Sequence, residues 1–206
     1  NPGAREFVMN VYKEIIEFDI IGLQLDYIRY PSGNENVEYS TGYTEYAINE
    51  FKELYGFEGD LRAAVRSNPA VYSQWNDYRR NVINTFVEEI HETIRPMRRD
   101  LDLSIAVGPN ASYARVNLMQ DWRVWVENGW IDAVKPMAYV NDVNTLVDII
   151  VRSKEITGTI AYNYTGIAPT YFGLPRLFNA IYIDAINNNG TQGSAIFATH
   201  NLINNQ

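Results

Sequence analysis

Residues 22–31 read GLQLDYIRYP: a short apolar run delivers a carboxylate, Asp26, and then at once Tyr27, Arg29 and Tyr30 before a proline. A carboxylate beside a guanidinium stays ionised by Coulomb attraction, which suits a nucleophile or a base more than an acid. Phenols and amides offer an apolar face with a polar edge, the chemistry that meets a neutral, hydroxyl-rich ligand. Further groups of this kind recur later in the chain, at Asn110, Lys135, Tyr139, Asp142, Asn163, Tyr164 and His200. A structural reading competes at each: Asp26 and Arg29 as a buried ion pair, Asp142 as the cap of a helix beginning at 143, the aromatics as core.

These residues share one property, which is that each falls within or just past an expected strand. Asn1-Pro2 is a cap-and-proline start, and apolar residues from Phe7 to Ile16 return every three to four positions, predicting a helix over 2–18. A strand over 20–29 follows, then an excursion over 32–75, rich in Asn, Ser, Gly and Tyr, with one helix near Thr44–Tyr55. Helices are expected at 75–98, 116–128, 143–155 and 174–189, and strands at 103–109, 132–139, 159–167 and 193–200. Short, nearly continuous apolar strands alternating with helices are the mark of a parallel sheet covered on both faces. Beyond the excursion, strand ends recur about every 27–34 residues, as in a (β/α)8 TIM-type barrel. The expectation is an α/β chain, one barrel-type domain over 1–206, supplying about strands four to eight, with the first three upstream. A doubly wound open sheet is the alternative, weakened because no Gly-rich phosphate turn follows a strand. In a barrel, strand C-termini build the active site, so the residues above gather on one rim.

Composition narrows the partners. A net charge of −8 repels phosphate backbones, so nucleic acid is not expected. The absence of cysteine removes disulfides and thiolate chemistry. His91 and His200 lie far apart without a carboxylate cluster, so neither a metal nor another cofactor is expected. No apolar run reaches a membrane span's length. Trp122, Trp125 and Trp130 are read as packing, and the sequons at Asn110, Asn163 and Asn189 as chance. Glycosidic hydrolysis needs two carboxyl groups across the scissile bond. Asp26 is the first candidate and Asp142 the second, with Tyr27, Arg29, Tyr30, Asn110, Lys135, Tyr139, Asn163, Tyr164 and His200 against the sugar.

Four segments carry a resemblance: NPG before a helix, IIGLQLDYIRYPS, YRRNVINTFVEEIHETIRPMRRDLDLSIAVGP and QDWRVWVENGWIDAVKPMAY, followed by a small-residue ending, GSAIFATHNL. In this order and spacing the chain resembles glycosyl hydrolase-like family ten, divergent bacterial barrel enzymes. The resemblance implies a (β/α)8 barrel hydrolysing glycans, exported or held at the cell envelope and associated with peptidoglycan strands. In related barrels the aspartate ending the fourth strand is the nucleophile, which falls on Asp26; the proton donor often follows the sixth strand, which points to Asp142. The family's N-terminal third, with further rim residues, has no counterpart here. Two other expectations stand beside hydrolysis: a carbohydrate-binding barrel without catalysis, and an inactive piece of a larger enzyme.

Overall fold

The computed structural model describes residues 1–32, 36–175 and 177–198. The chain divides into two compact units. The first comprises Asn1–Ile21, Tyr27–Leu101 and Ser112–Asp121; the second comprises Gly22–Asp26, Asp102–Ala111 and Trp122 onward.

The first unit is helical. Helix α1 (Pro2–Ile15) begins where Asn1 and Pro2 said it would, with the Asn1 side chain accepting from the Ala4 N–H. The excursion is not a loose loop. It folds into α2 (Glu45–Tyr55), α3 (Leu61–Ser67) and the first turns of α4 (Pro69–Met97). Their inner faces close a core of Phe51, Leu61, Val65, Val71, Trp75 and Tyr78. The Trp75 ring stacks between Tyr43 at 4.9 Å and Tyr78 at 5.1 Å. Helix α4 starts six residues before the expected Trp75, because Asn68 and Pro69 repeat the cap-and-proline signature of the N-terminus. Arg5 of α1 donates to the Thr85 hydroxyl of α4 at 2.9 Å and pairs with Glu89 at 3.3 Å, joining the two helices.

The expected helix over 116–128 is broken into α5 (Ala111–Asn117) and α6 (Trp122–Glu127). Met119 between them has φ +55°, a left-handed conformation that no α-helix continues through. The buried Gln120 side chain there donates to the Ile28 carbonyl at 3.2 Å.

The second unit holds the sheet: β1 (Gly22–Leu25), β2 (Asp102–Val107), β3 (Ala133–Pro136), β4 (Tyr162–Ile167) and β5 (Gly193–Ile196). All neighbours are parallel and the order is β1-β2-β3-β4-β5, without reversal. A doubly wound sheet needs a point where strand order reverses, and the order of these five strands has none. Helices α7 (Val143–Thr157) and α8 (Leu177–Asn188) cover β4, with Leu146, Ile150, Ile167, Tyr182 and Ile186 in the core between. Trp122 and Trp125 are fully buried, as expected of packing residues, and the Trp122 indole donates to the Gly108 carbonyl at 3.2 Å.

Burial departs from expectation at the sheet edges. β2 is covered on both faces for most of its length, but β1 alternates, with Leu23 and Leu25 buried and Gly22 and Gln24 exposed. No residue of β5 is fully buried.

Candidate functional site

Partners in a parallel ladder share a face, and successive residues alternate between faces. Gln24 pairs with Ser104, Ala106 with Lys135, Ala133 with Tyr162, and Tyr164 with Gly193. These residues therefore lie on one face, opposite the one that α7 and α8 cover at β4. The central floor of this face is made of small side chains, Ser104, Ala106 and Ala133, and longer groups reach over it. Lys135 Nζ donates to the Gln24 side-chain carbonyl across β2.

Strand β1 stops at Leu25, four residues earlier than expected. Tyr27 has φ +56°, so the chain leaves the strand geometry there. Asp26 is thus the first residue past the C-terminal end of β1, and it is exposed.

Aromatic rings line the β3–β5 side. The Tyr164 ring lies against Gly193, where an added Cβ would come within 3.1 Å of Tyr164 Cδ1. Tyr139, on the segment after β3, packs against Gly166 and stacks on Phe197 with centroids 5.3 Å apart and planes 23° off parallel. Tyr162 sits 6.2 Å from Tyr164, centroid to centroid. Glycines at 166 and 193 give the rings room to approach the sheet.

Asn163 is corrected by its face. It alternates away from Tyr162 and Tyr164 and is buried toward α7, where its amide donates to the Ser153 hydroxyl at 2.8 Å and its carbonyl accepts from Thr165 Oγ1 at 3.1 Å. It belongs to the core rather than to a sugar site. Asp142 is likewise corrected: it is the cap of α7, accepting from the Thr145 N–H at 2.7 Å and the Thr145 hydroxyl at 2.8 Å. Those bonds hold its carboxyl below the usual range, opposite to what a proton donor needs.

Tyr27, Arg29 and Tyr30 belong to the helical unit. Tyr27 is exposed, with the Arg29 guanidinium 4.5 Å from its ring centroid. Tyr30 is half-buried against Gly42, with Arg79 5.2 Å from its ring centroid, and burial pushes its phenol up. Asn110 is exposed, immediately before α5. His200 lies outside the described residues.

The structure thus brings Asp26, Lys135, Tyr139 and Tyr164 to the sheet unit, and adds three residues that sequence reasoning passed over. Gln24 could have been found as the polar member of an apolar run, two positions before Asp26; Tyr162 shares that two-residue relation with Tyr164. Phe197 had no such signal, because its stacking on Tyr139 is a tertiary contact. Among the described residues, no group of three or more histidine or acidic side chains is placed to hold a metal ion.

A family model described as Glycosyl hydrolase-like 10 matches residues 1–184. No curated protein matches the chain in sequence. Among solved structures, the monoclinic crystal form of bee venom hyaluronidase is similar over 88% of this chain and 64% of that one, at 13% identity and a TM-score of 0.54. The same bee enzyme in complex with a hyaluronic acid tetramer is similar over 84% and 59%, at 13% identity and a TM-score of 0.51. The chain therefore spans less than two thirds of those hyaluronidase chains, and at that identity the likeness concerns the fold.

Proposed function

This chain belongs to the glycosyl hydrolase-like 10 family, and on that premise we propose that it is a glycoside-hydrolase-type domain hydrolysing a polysaccharide, with Asp26 as nucleophile or base. The observation that supports this is the place of Asp26: exposed and immediately past the C-terminal end of β1, in a sheet one face of which bears Gln24, Lys135 and Tyr164. A parallel sheet of unreversed order with a carboxylate at a strand C-terminus is the arrangement from which barrel glycosidases are built. The strands correspond on this reading to the fourth to eighth of a (β/α)8 barrel, the whole chain forming one catalytic domain.

Asp26 attacks the anomeric carbon or activates the water that does so, and a second carboxyl group protonates the leaving oxygen. Asp142, held ionised by its capping bonds, is poorly suited to that second role, so Asp26 alone is assigned here to the chemistry. Tyr139, Tyr164 and Phe197 offer flat apolar faces for sugar rings. No helix among the described residues is long and apolar enough to cross a membrane. The hyaluronidase likeness supports a polysaccharide ligand, and the family membership an exported, envelope-associated protein acting on glycan strands.

The test is release of reducing ends from hyaluronan and from peptide-free peptidoglycan strands by the chain and by Asp26→Asn. Release that is lost in the variant supports the assignment, whereas equal release by both removes Asp26 from the mechanism. A second reading, carbohydrate binding without catalysis, is favoured by the aromatic rings and predicts glycan binding without release, unchanged in Asp26→Asn.

A further inference from the structure

Extended by one residue past β1, the strand register sets Asp26 level with Lys135. Leu25 pairs with Ile105, so the next step places Asp26 level with Ala106, and Ala106 pairs with Lys135. Two strand spacings, roughly 10 Å between Cα atoms, separate the carboxylate from the lysine across the small-residue floor. Lys135 Nζ has the Gln24 side-chain carbonyl as its hydrogen-bond partner and no ion pair with a carboxylate among the described residues. Partial burial lowers its pKa. A partly desolvated ammonium is ordinarily paired with an anion. Among the described residues its partner is a neutral amide, which fixes the side chain in place and leaves the ammonium with two further protons to donate.

We propose that Lys135 binds an anionic group of the glycan, so that the site selects a polysaccharide bearing a carboxylate on the sugar beside the bond that Asp26 addresses. This rests on the proposed glycoside hydrolase reading and narrows its substrate class. A carboxylate of this kind occurs on the ring of a hexuronic acid or on the lactyl arm of a muramic acid, and the ammonium–carboxylate contact is the same chemistry in both. The chain's net charge of −8 disfavours non-specific attraction of such a polymer. Selection must therefore be local, and a single lysine can be tested for it.

The experiment measures equilibrium binding in the Asp26→Asn background, so that turnover is not needed for a result. One matched pair is a hyaluronic acid tetramer and its carboxyl-reduced, neutral form. The other is a tetramer alternating N-acetylglucosamine with N-acetylmuramic acid, set against the chitin tetramer. The expected result is that at least one acidic member binds about ten-fold or more tightly than its neutral counterpart. Lys135→Met then abolishes the difference by weakening the acidic ligand alone, and Lys135→Arg retains part of it. The pair that discriminates identifies which carboxylate is recognised. Equal binding within both pairs, binding of none of the four ligands, or an equal loss on acidic and neutral ligands in Lys135→Met each overturns the proposal. Hydrolysis by the unsubstituted chain is read separately, so failure of catalysis is distinguished from failure of acidic-sugar recognition.

Discussion

Asn163 donates its side-chain amide to the Ser153 hydroxyl at 2.8 Å, tying the start of β4 to α7 in a fully buried contact. One residue on either side, Tyr162 and Tyr164 face the opposite surface. The strand alternation therefore divides adjacent polar residues between the buried side packed on α7 and the opposite face of the sheet.

That division predicts what Asn163→Ala does. Ser153 and Thr165 lose their shared partner inside the core, which costs about 1–3 kcal/mol. Urea unfolding checks the loss, and glycan binding per folded molecule is expected to stay unchanged.

Asp142→Ala tests the capping role. The cap bonds lower the folded-state pKa of Asp142, so its contribution is fully present above the ordinary carboxylate pKa and is lost as pH falls through the depressed value. The variant is expected to be less stable than the parent at neutral pH, and the two to converge in acid. Asp142→Asn, which still caps a helix, is expected to keep glycan turnover; its loss there would restore Asp142 to the catalytic candidates.

The two glycines under the aromatic rings are expected to differ. In Gly166→Ala the new Cβ lies 3.1 Å from the Pro136 backbone oxygen, which cannot move aside cheaply. A loss of about 1–3 kcal/mol follows. In Gly193→Ala the obstacle is the Tyr164 ring itself, also at 3.1 Å. The ring can turn, so stability changes less while glycan affinity falls. Thermal unfolding and titration with oligosaccharide separate the two.

Phe51 is fully buried, with Tyr55, Phe57, Trp75 and Tyr78 rings within 4.5–5.9 Å of its own. Phe51→Ala is expected to cost about 3–5 kcal/mol. Hydrogen exchange is the measurement, with protection lost first in α2, α3 and the start of α4.

Periodicity and punctuation alone located every strand and most of the helices among the described residues. An apolar run bounded by turn residues, or apolar residues every three to four positions, is a local signal of a local structure, and Asn1-Pro2 and Asp142 announced their helices in the same way. From the sequence came Asp26 at the close of a strand and the family resemblance that the family model bears out over residues 1–184. The length of β1, the break at Met119 and the core formed by residues of the excursion were not legible, since each depends on contacts distant in sequence. Face assignment was the largest item left to the tertiary structure. Shifting a strand's register by one residue exchanges its two faces, and only pairing with neighbours revealed that Asn163 is buried while Lys135 and Tyr164 share a face. The sequence by itself determined which polar and aromatic groups the chain carries and where its strands run; the ladder decided which of those groups share a face, because side-chain direction in a sheet is a property of the pairing rather than of the residue.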